Sequence, residues 1–270
     1  MRARIAWLAV LLASILSAWG QQTPESKLRV LIITGENNHD WRGTTPILRQ
    51  ILEETGRFEV RVTEEFRGAT EQTLAPYDAV VLNYYERRRP ELWWGSQTEQ
   101  ALVSWLRRGK GLVVYHFSVA AFDGWDEYEK ICAGNWRPNQ GHHSPAHDFT
   151  VEIKDPDHPV TQGLKLSFPV SKDELYANLK WQPEGSYHIL AVAWDDHSLY
   201  QNPRQPTPGP GRYQPILWTV RYGAGRVFVT VLGHAPENLS NPGFRVTFAR
   251  GTEWAATGKV TLPVPPEMAR

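Results

Sequence analysis

The stretch Leu-Arg-Val-Leu-Ile-Ile-Thr-Gly, residues 28–35, is an apolar, β-branched run that ends at a glycine. A run of this length and composition predicts a strand that is buried on both faces. It is followed by Thr44 and Thr45, either of which can cap a helix, and by Pro46, which suits the first helical position. We therefore predict that a buried strand leads into a helix that ends at Gly56.

The alternation of strands and helices continues along the chain. Further strands are predicted at 58–62, 78–82, 112–115, 149–153, 189–194, 215–220 and 227–232, and a second helix at 98–108. Short strand–helix units predict a parallel sheet, whereas a tight turn such as Tyr222–Gly225 predicts an antiparallel hairpin. The expected fold class is an α/β protein with an open, mostly parallel, doubly wound sheet and added antiparallel strands in the second half.

The composition excludes several classes of protein. The chain has 270 residues, 41% of them hydrophobic and 11% aromatic, which is too apolar for a disordered chain. Basic and acidic residues number 29 each, and this balance argues against nucleic acid as a partner. The single cysteine, Cys132, excludes an internal disulfide and a thiolate zinc cluster. One domain is expected over residues 21–270, with its core at about 28–263.

The first twenty residues have the pattern of a secretory signal peptide. Arg2 and Arg4 precede an apolar run at 5–16, and Ala18-Trp19-Gly20 places small residues at the −3 and −1 positions of a cleavage site. The run is shorter than the about 20 residues that a spanning helix needs, although an uncleaved anchor remains the alternative. We expect cleavage before Gln21 and a periplasmic or extracellular protein that is free of the membrane.

Three histidines follow predicted strands at the point where each strand ends. His39 comes after the first strand, His116 after the strand at 112–115, and His234 after the last strand. Because ligands bind beyond the carboxyl ends of the strands in an open parallel sheet, these side chains are expected to share one site. Imidazoles can act there as general acid and base, or the three can bind a divalent metal such as zinc.

Other polar and aromatic residues extend this candidate site. Asp173 and Glu174 are candidates for a carboxylate role, and only one is expected to face the site because neighbours on a strand point oppositely. A solvated turn remains the alternative for this pair. The histidine-dense segment 142–148 is expected to be a loop that can fold over the site, because Pro145 disfavours a helical metal pair, and a structural or solvated loop remains the alternative. The candidate substrate-binding residues are Trp41, Tyr84, Trp125, His142 and Tyr176.

Several separate stretches resemble the ThuA-like (trehalose utilisation) family, in the same order and over nearly all of residues 28–263. The matching stretches are Gly35–Trp41, Gly111–His116, His158–Leu164, Asp173–Tyr176, Tyr222–Phe228, Leu232–His234 and Gly251–Gly258. The resemblance implies a flavodoxin-like fold related to that of class I glutamine amidotransferases. It also implies a role in carbohydrate metabolism, with a sugar, an oxidised sugar or a disaccharide as the small-molecule ligand.

The chain departs from the amidotransferases where they hold their nucleophile. In that superfamily a cysteine stands on the tight turn after the central strand, and the resemblance places His116 at the equivalent position here. The resemblance makes His234 the partner histidine and Glu237 a third member. Cys132 falls in a predicted helix beyond that turn, so the thiolate chemistry of glutamine hydrolysis is not expected.

We therefore expect an exported carbohydrate enzyme with a histidine–carboxylate site. The candidate catalytic residues are His39, His116, Asp173, Glu174, His234 and Glu237. Two alternatives remain, a non-catalytic carbohydrate-binding or interaction protein and a metal-dependent hydrolase that holds zinc through the three histidines. The sequence leaves the substrate, the reaction and the formation of homo-oligomers open.

Overall fold

A nine-stranded sheet forms the centre of the molecule, and helices pack against it. The computed structural model describes residues 26–86, 89, 91, 93–200 and 211–270. The predicted signal peptide lies outside the described residues.

The strands of the main sheet have four to eleven residues, whereas the two small sheets that the structure describes are built from strands of two residues each. In chain order they are Leu28–Ile33 (β1), Phe58–Thr63 (β2), Ala79–Leu82 (β3), Gly111–Tyr115 (β4), Gly134–Asn135 (β5), His142–His143 (β6), His147–Ile153 (β7), Ser167–Asp173 (β8), Tyr176–Ala177 (β9), Lys180–Trp181 (β10), Tyr187–Asp195 (β11), Arg212–Tyr222 (β12) and Gly225–Thr230 (β13).

The main sheet has the order β2-β1-β3-β4-β13-β12-β11-β7-β8. The pairs from β2 to β13 are parallel, and the pairs from β13 to β8 are antiparallel. Every residue of β3 and β4 is buried, which explains their unbroken apolar sequences. This arrangement confirms the expected α/β class, with a parallel first part and added antiparallel strands.

The helices are Trp41–Glu54 (α1), Glu71–Leu74 (α2), Ser96–Arg107 (α3), Asp126–Cys132 (α4) and Pro242–Thr257 (α5). The predicted start of α1 at Thr44 is wrong. The side chain of Asp40 accepts a hydrogen bond from the Gly43 amide and caps the helix earlier, so Pro46 lies inside it. Among the helices that the structure describes, none is long and apolar enough to cross a membrane.

The segment at 142–148 is not the irregular loop that its proline and histidines suggest. It contains β6, which pairs with β9, and the beginning of β7. The prediction failed because β6 is only two residues long and its partner lies more than thirty residues away, so neither leaves a periodic pattern.

Helix α5 lies directly on the parallel strands. A Cβ atom on Gly111 would lie 2.4 Å from the carbonyl carbon of Ala255, and one on Gly251 would lie 2.3 Å from the ring of Phe228. Neither contact leaves room for a side chain, so both glycines are needed for the close approach of helix and sheet.

The buried Arg250 of α5 holds a distant loop in place. Its guanidinium donates to the carbonyl oxygens of Pro159, Val160, Gln162 and Leu262, at distances of 2.6 to 3.0 Å. One side chain thus provides hydrogen-bond donors for four carbonyl groups. This explains why a charged residue, Arg250, is buried in α5. The stretch His158–Leu164 therefore has a structural role.

We expect Arg250→Met to lower the free energy of unfolding by about 2–4 kcal/mol, because it leaves several carbonyl groups without a donor. The matched control is Arg245→Met on the same helix, which removes an exposed ion pair with Glu54 and should cost less than about 1 kcal/mol. Urea denaturation measures the free energy of unfolding of both variants. Equal losses in the two variants would contradict the role of Arg250.

Candidate active site: three histidines around a glutamate

Residues that follow four strands converge at one edge of the sheet. His39 follows β1, His116 follows β4 and His234 follows β13, as the sequence predicts for the carboxyl ends of parallel strands. Glu174 follows β8, which runs in the same direction as β13 because four antiparallel pairings separate the two. We call His39, His116, Glu174 and His234 the His3Glu cluster.

An open cavity of about 450 Å³ lies over this cluster. Its lining residues are Asn38, His39, Asp40, Phe117, Trp136, His143, Glu174, Tyr176, His234 and Ala235. The cavity falls within the size range of about 300–1,000 Å³ that is usual for small-molecule sites. Its walls combine aromatic rings with groups that can exchange protons or bind a metal.

Glu174 lies at the centre of the cluster. Its Oε2 atom is 3.0 Å from Nδ1 of His234, 3.6 Å from Nε2 of His39 and 3.7 Å from Nε2 of His116. Burial alone would raise the pKa of Glu174, but the neighbouring imidazoles, that of His234 above all, outweigh it and hold the pKa well below the usual range. The carboxylate is therefore ionised at neutral pH.

His116 is buried and fixed from both sides of its ring. Nδ1 lies 2.8 Å from the carbonyl oxygen of Val231, which can only accept, so Nδ1 carries the proton. Nε2 then accepts from the hydroxyl of Tyr176 at 2.8 Å. Burial, together with the neighbouring His39, lowers the pKa of His116 well below its usual value, so the imidazole is neutral.

The backbone at the start of the turn is strained. His116 has a φ of 46°, in the left-handed region that non-glycine residues rarely adopt. This conformation turns the imidazole from the end of β4 toward Glu174, and the hydrogen bonds of both ring nitrogens hold it there.

His39 is oriented by the loop in which it lies. Its Nδ1 is 2.9 Å from Oδ1 of Asn38, and its backbone amide donates to Oδ1 of Asn37. The ring meets those of His116 and His234 edge to face, with centroids 4.7 and 4.8 Å apart. These contacts leave Nε2 of His39 directed toward the glutamate.

Asp173 positions the backbone of His234. Its carboxylate accepts from the amides of Gly233 at 2.7 Å, His234 at 2.9 Å and Glu174 at 2.9 Å. The hydroxyl of Tyr115 donates to the carbonyl of Gly233 on the same turn. Both carboxylates of the pair are buried, so neither belongs to a solvated turn, and Glu174 is the one that lines the cavity.

The pKa of His234 is raised, chiefly by the side chain of Glu174. The Nδ1 atom is buried 3.0 Å from Oε2 of Glu174 and has no hydrogen-bond partner. Glu237, the expected third member, is exposed in the turn that follows and does not line the cavity.

The candidate substrate-binding residues divide into two groups. Tyr176 lines the cavity and contacts His116. Trp41 is buried at the start of α1, and Tyr84 is buried against the ring of Trp94. Trp125 packs on another aromatic ring of the core, and these three residues do not line the cavity.

The histidines of β6 face opposite ways. His143 reaches the site, with Nδ1 at 3.2 Å from Oε1 of Glu174, whereas His142 lies 3.7 Å from the buried Asp195 and does not line the cavity. The sequence reasoning missed the contact of His143, as well as Phe117 and Asn38 in the cavity wall. Asn38 and Phe117 each stand next to a candidate histidine in the sequence. That position could have identified them as residues of the cavity wall.

Cys132 is buried at the end of α4, as the predicted helix suggested. Burial raises the pKa of its thiol to about 12, and Sγ lies 3.2 Å from the carbonyl oxygen of Gly134. A thiol in this state is a poor nucleophile.

We expect Cys132 to resist iodoacetamide at pH 8 in the folded protein, because the reagent needs an accessible thiolate. Mass spectrometry should detect labelling at least about 100-fold slower than in the guanidinium-unfolded chain, since reaction requires local opening. Rapid labelling of a protein with native circular dichroism would contradict the burial of this side chain.

Comparison with known proteins identifies the family. The family model described as ThuA, trehalose utilisation, matches residues 29–255. The structure of a ThuA-like protein from Parabacteroides merdae is 32% identical and has a TM-score of 0.77, over 90% of this chain and 95% of that chain. A ThuA-like protein from Bacteroides uniformis is 16% identical, with a TM-score of 0.65 over 90% of this chain and 97% of that chain. No curated protein matches the sequence significantly.

One more distant structure shares the fold alone. The carbohydrate deacetylase Agd3 is 10% identical, with a TM-score of 0.53 over 84% of this chain and 32% of that chain. The family model, in contrast, covers most of the sequence, and the Parabacteroides protein aligns over nearly its whole length. The chain therefore belongs to the ThuA family, which is related to trehalose utilisation.

Proposed function

We propose that this protein is an enzyme that acts on a sugar or an oxidised sugar, with the His3Glu cluster at its catalytic centre. The observation that carries the proposal is one ionised carboxylate, Glu174, held among three imidazoles at an open cavity. Groups with perturbed protonation in a cavity of this size are typical of active sites.

The cavity walls support a carbohydrate as the ligand. Phe117, Trp136 and Tyr176 place aromatic rings beside the polar cluster, and an aromatic face suits the apolar face of a sugar ring. Asn38 and His143 add polar groups that can bond to hydroxyl groups at the rim. The family's link to trehalose utilisation supports the same class of ligand.

The burial of the cysteine supports a reaction other than glutamine hydrolysis. The one thiol of the chain, Cys132, is buried and protonated, and the turn after β4 presents an imidazole instead. The reaction therefore uses the imidazoles and the carboxylate, with no covalent thioester intermediate.

We expect His234→Ala and Glu174→Gln to lower kcat/KM by about 100-fold or more, since each removes a group at the reacting centre. Purified protein would be incubated with trehalose, related disaccharides and their oxidised forms, and products followed by NMR. The control is His188→Ala, which removes a solvent-exposed histidine paired with Asp155 and should retain activity. Calorimetric binding of a sugar without turnover of any would instead favour a non-catalytic carbohydrate-binding protein.

We also propose that the protein is exported. The support is the sequence of residues 1–20, with its basic start, apolar run and small residues before Gln21. Edman sequencing of protein from periplasmic or culture fractions should begin near Gln21. Recovery of the soluble chain only from the cytoplasm, with Met1 intact, would contradict export.

A further inference from the structure

We propose that His39, His116, Glu174 and His234 bind one divalent transition-metal ion, of the zinc type, through three imidazole nitrogens and one carboxylate oxygen. The inference deepens the proposed function, since it assigns a cofactor to the same site. Metal binding can be measured without a substrate, so the two proposals can fail separately.

The spacing of the donor atoms fits a single ion. Two ligands bound at about 2.0–2.1 Å to a tetrahedral zinc lie about 3.3 Å apart. Oε2 of Glu174 is 3.0, 3.6 and 3.7 Å from the three nitrogens that face it. All four donor atoms lie within 4.8 Å of one another, so small adjustments of the side chains would bring them onto one ion.

The spacing of potential ligand atoms distinguishes the His3Glu cluster from other groups of side chains in the described part of the chain. Within residues 26–200 and 211–270, leaving aside the few undescribed positions near 90, no other group of three or more His, Cys, Asp and Glu side chains has such a geometry. The set of nitrogen and oxygen donors also matches the ligands that zinc and its neighbours prefer.

The outer contacts of two histidines prepare them as ligands. Nδ1 of His116 donates to the carbonyl of Val231, and Nδ1 of His39 faces the amide oxygen of Asn38. Each contact fixes the proton on Nδ1 and leaves the Nε2 lone pair inside the cluster. Carbonyl and amide oxygens behind metal-bound imidazoles have this same orienting role.

The interior of the cluster is therefore rich in atoms that can accept a proton or bind a cation. With its proton on Nδ1, His39 turns its Nε2 lone pair toward a carboxylate that also carries lone pairs, whereas the Nε2 lone pair of His116 accepts from the hydroxyl of Tyr176. The third nitrogen, Nδ1 of His234, is buried without a hydrogen-bond partner. A cation at the centre would satisfy all four donors at once, whereas a single proton can bridge only two of them.

The proposed ion and the hydroxyl of Tyr176 compete for the same nitrogen of His116. Its hydroxyl donates to Nε2 of His116 and so occupies the lone pair that the ion would take. Metal binding must break this hydrogen bond and release the hydroxyl toward the cavity. Removal of the hydroxyl should therefore leave metal affinity unchanged or increase it, although it removes a polar contact from the site. When bound, the ion would supply a Lewis acid or an activated water.

The test uses the full chain, stripped with a chelator and titrated with zinc chloride by calorimetry. We expect one zinc per chain, confirmed by elemental analysis after gel filtration, and a rise in Tm on zinc addition. His39→Ala and Glu174→Gln should weaken binding by about 100-fold or more, beyond the 10–100-fold typical of an outer contact. Tyr176→Phe should bind at least as tightly as the wild type, and His188→Ala should bind equally well.

Several results would overturn the metal site. They are the absence of stoichiometric zinc binding by the folded wild type, wild-type affinity in both ligand variants, and loss of binding in His188→Ala, which would indicate a surface site. Sugar turnover that survives complete removal of metal would overturn the cofactor while leaving the enzyme proposal intact. Stoichiometric zinc in the cluster without turnover of any sugar would support the metal site and contradict the proposed function.

Discussion

The hydrogen bonds from the amides of Gly233 and His234 to Asp173 are the interaction on which the candidate site depends. They join the end of β8, the last strand of the sheet, to the end of β13 near its centre. The parallel pairing of β13 with β4 then brings His234 beside His116. The Asp173 contact therefore holds Glu174, the next residue, close to His234.

The sequence predicts the three histidines of this site better than it predicts the central position of Glu174. The apolar runs of β1, β4 and β13 identify strands, and the rule for carboxyl ends then selects His39, His116 and His234. Strand β8 escapes prediction because its alternating pattern of buried and exposed residues contains a proline and charged residues near its end. Glu174 reaches the centre of the site because β8 runs in the same direction as β13. That direction can be known only when all four antiparallel pairings between the two strands are known.

The aromatic residues illustrate a different limit of sequence reasoning. Trp41, Tyr84 and Tyr176 have similar chemical character, and nothing in their spacing separates a cavity wall from the core. In the structure Tyr176 contacts His116, whereas Tyr84 and Trp41 are buried elsewhere. Burial of an aromatic side chain in a loop depends on which elements pack over it, and local sequence does not contain that information.

The stretches that carry the family resemblance serve two purposes. His158–Leu164 and Gly251–Gly258 belong to the fold, since Arg250 binds the first through its carbonyl groups and Gly251 lets α5 approach the sheet. Asp173–Tyr176 and Leu232–His234 meet at the site. Family membership therefore follows from both sets, but only the second set constrains the chemistry.

The turn after β4 determines what that chemistry can be. A left-handed conformation at His116 costs about 1–3 kcal/mol, and such strain persists only where the surroundings enforce it. Here Val231 and Tyr176 bond to the two ring nitrogens, and these hydrogen bonds fix both the direction and the tautomer of the imidazole. A cysteine at this turn would present a thiol nucleophile, whereas the neutral His116 presents a lone pair on Nε2, which accepts from Tyr176 beside Glu174. A lone pair held in that position is suited to receive a proton or a metal ion, but it cannot form the thioester intermediate that a cysteine would form there.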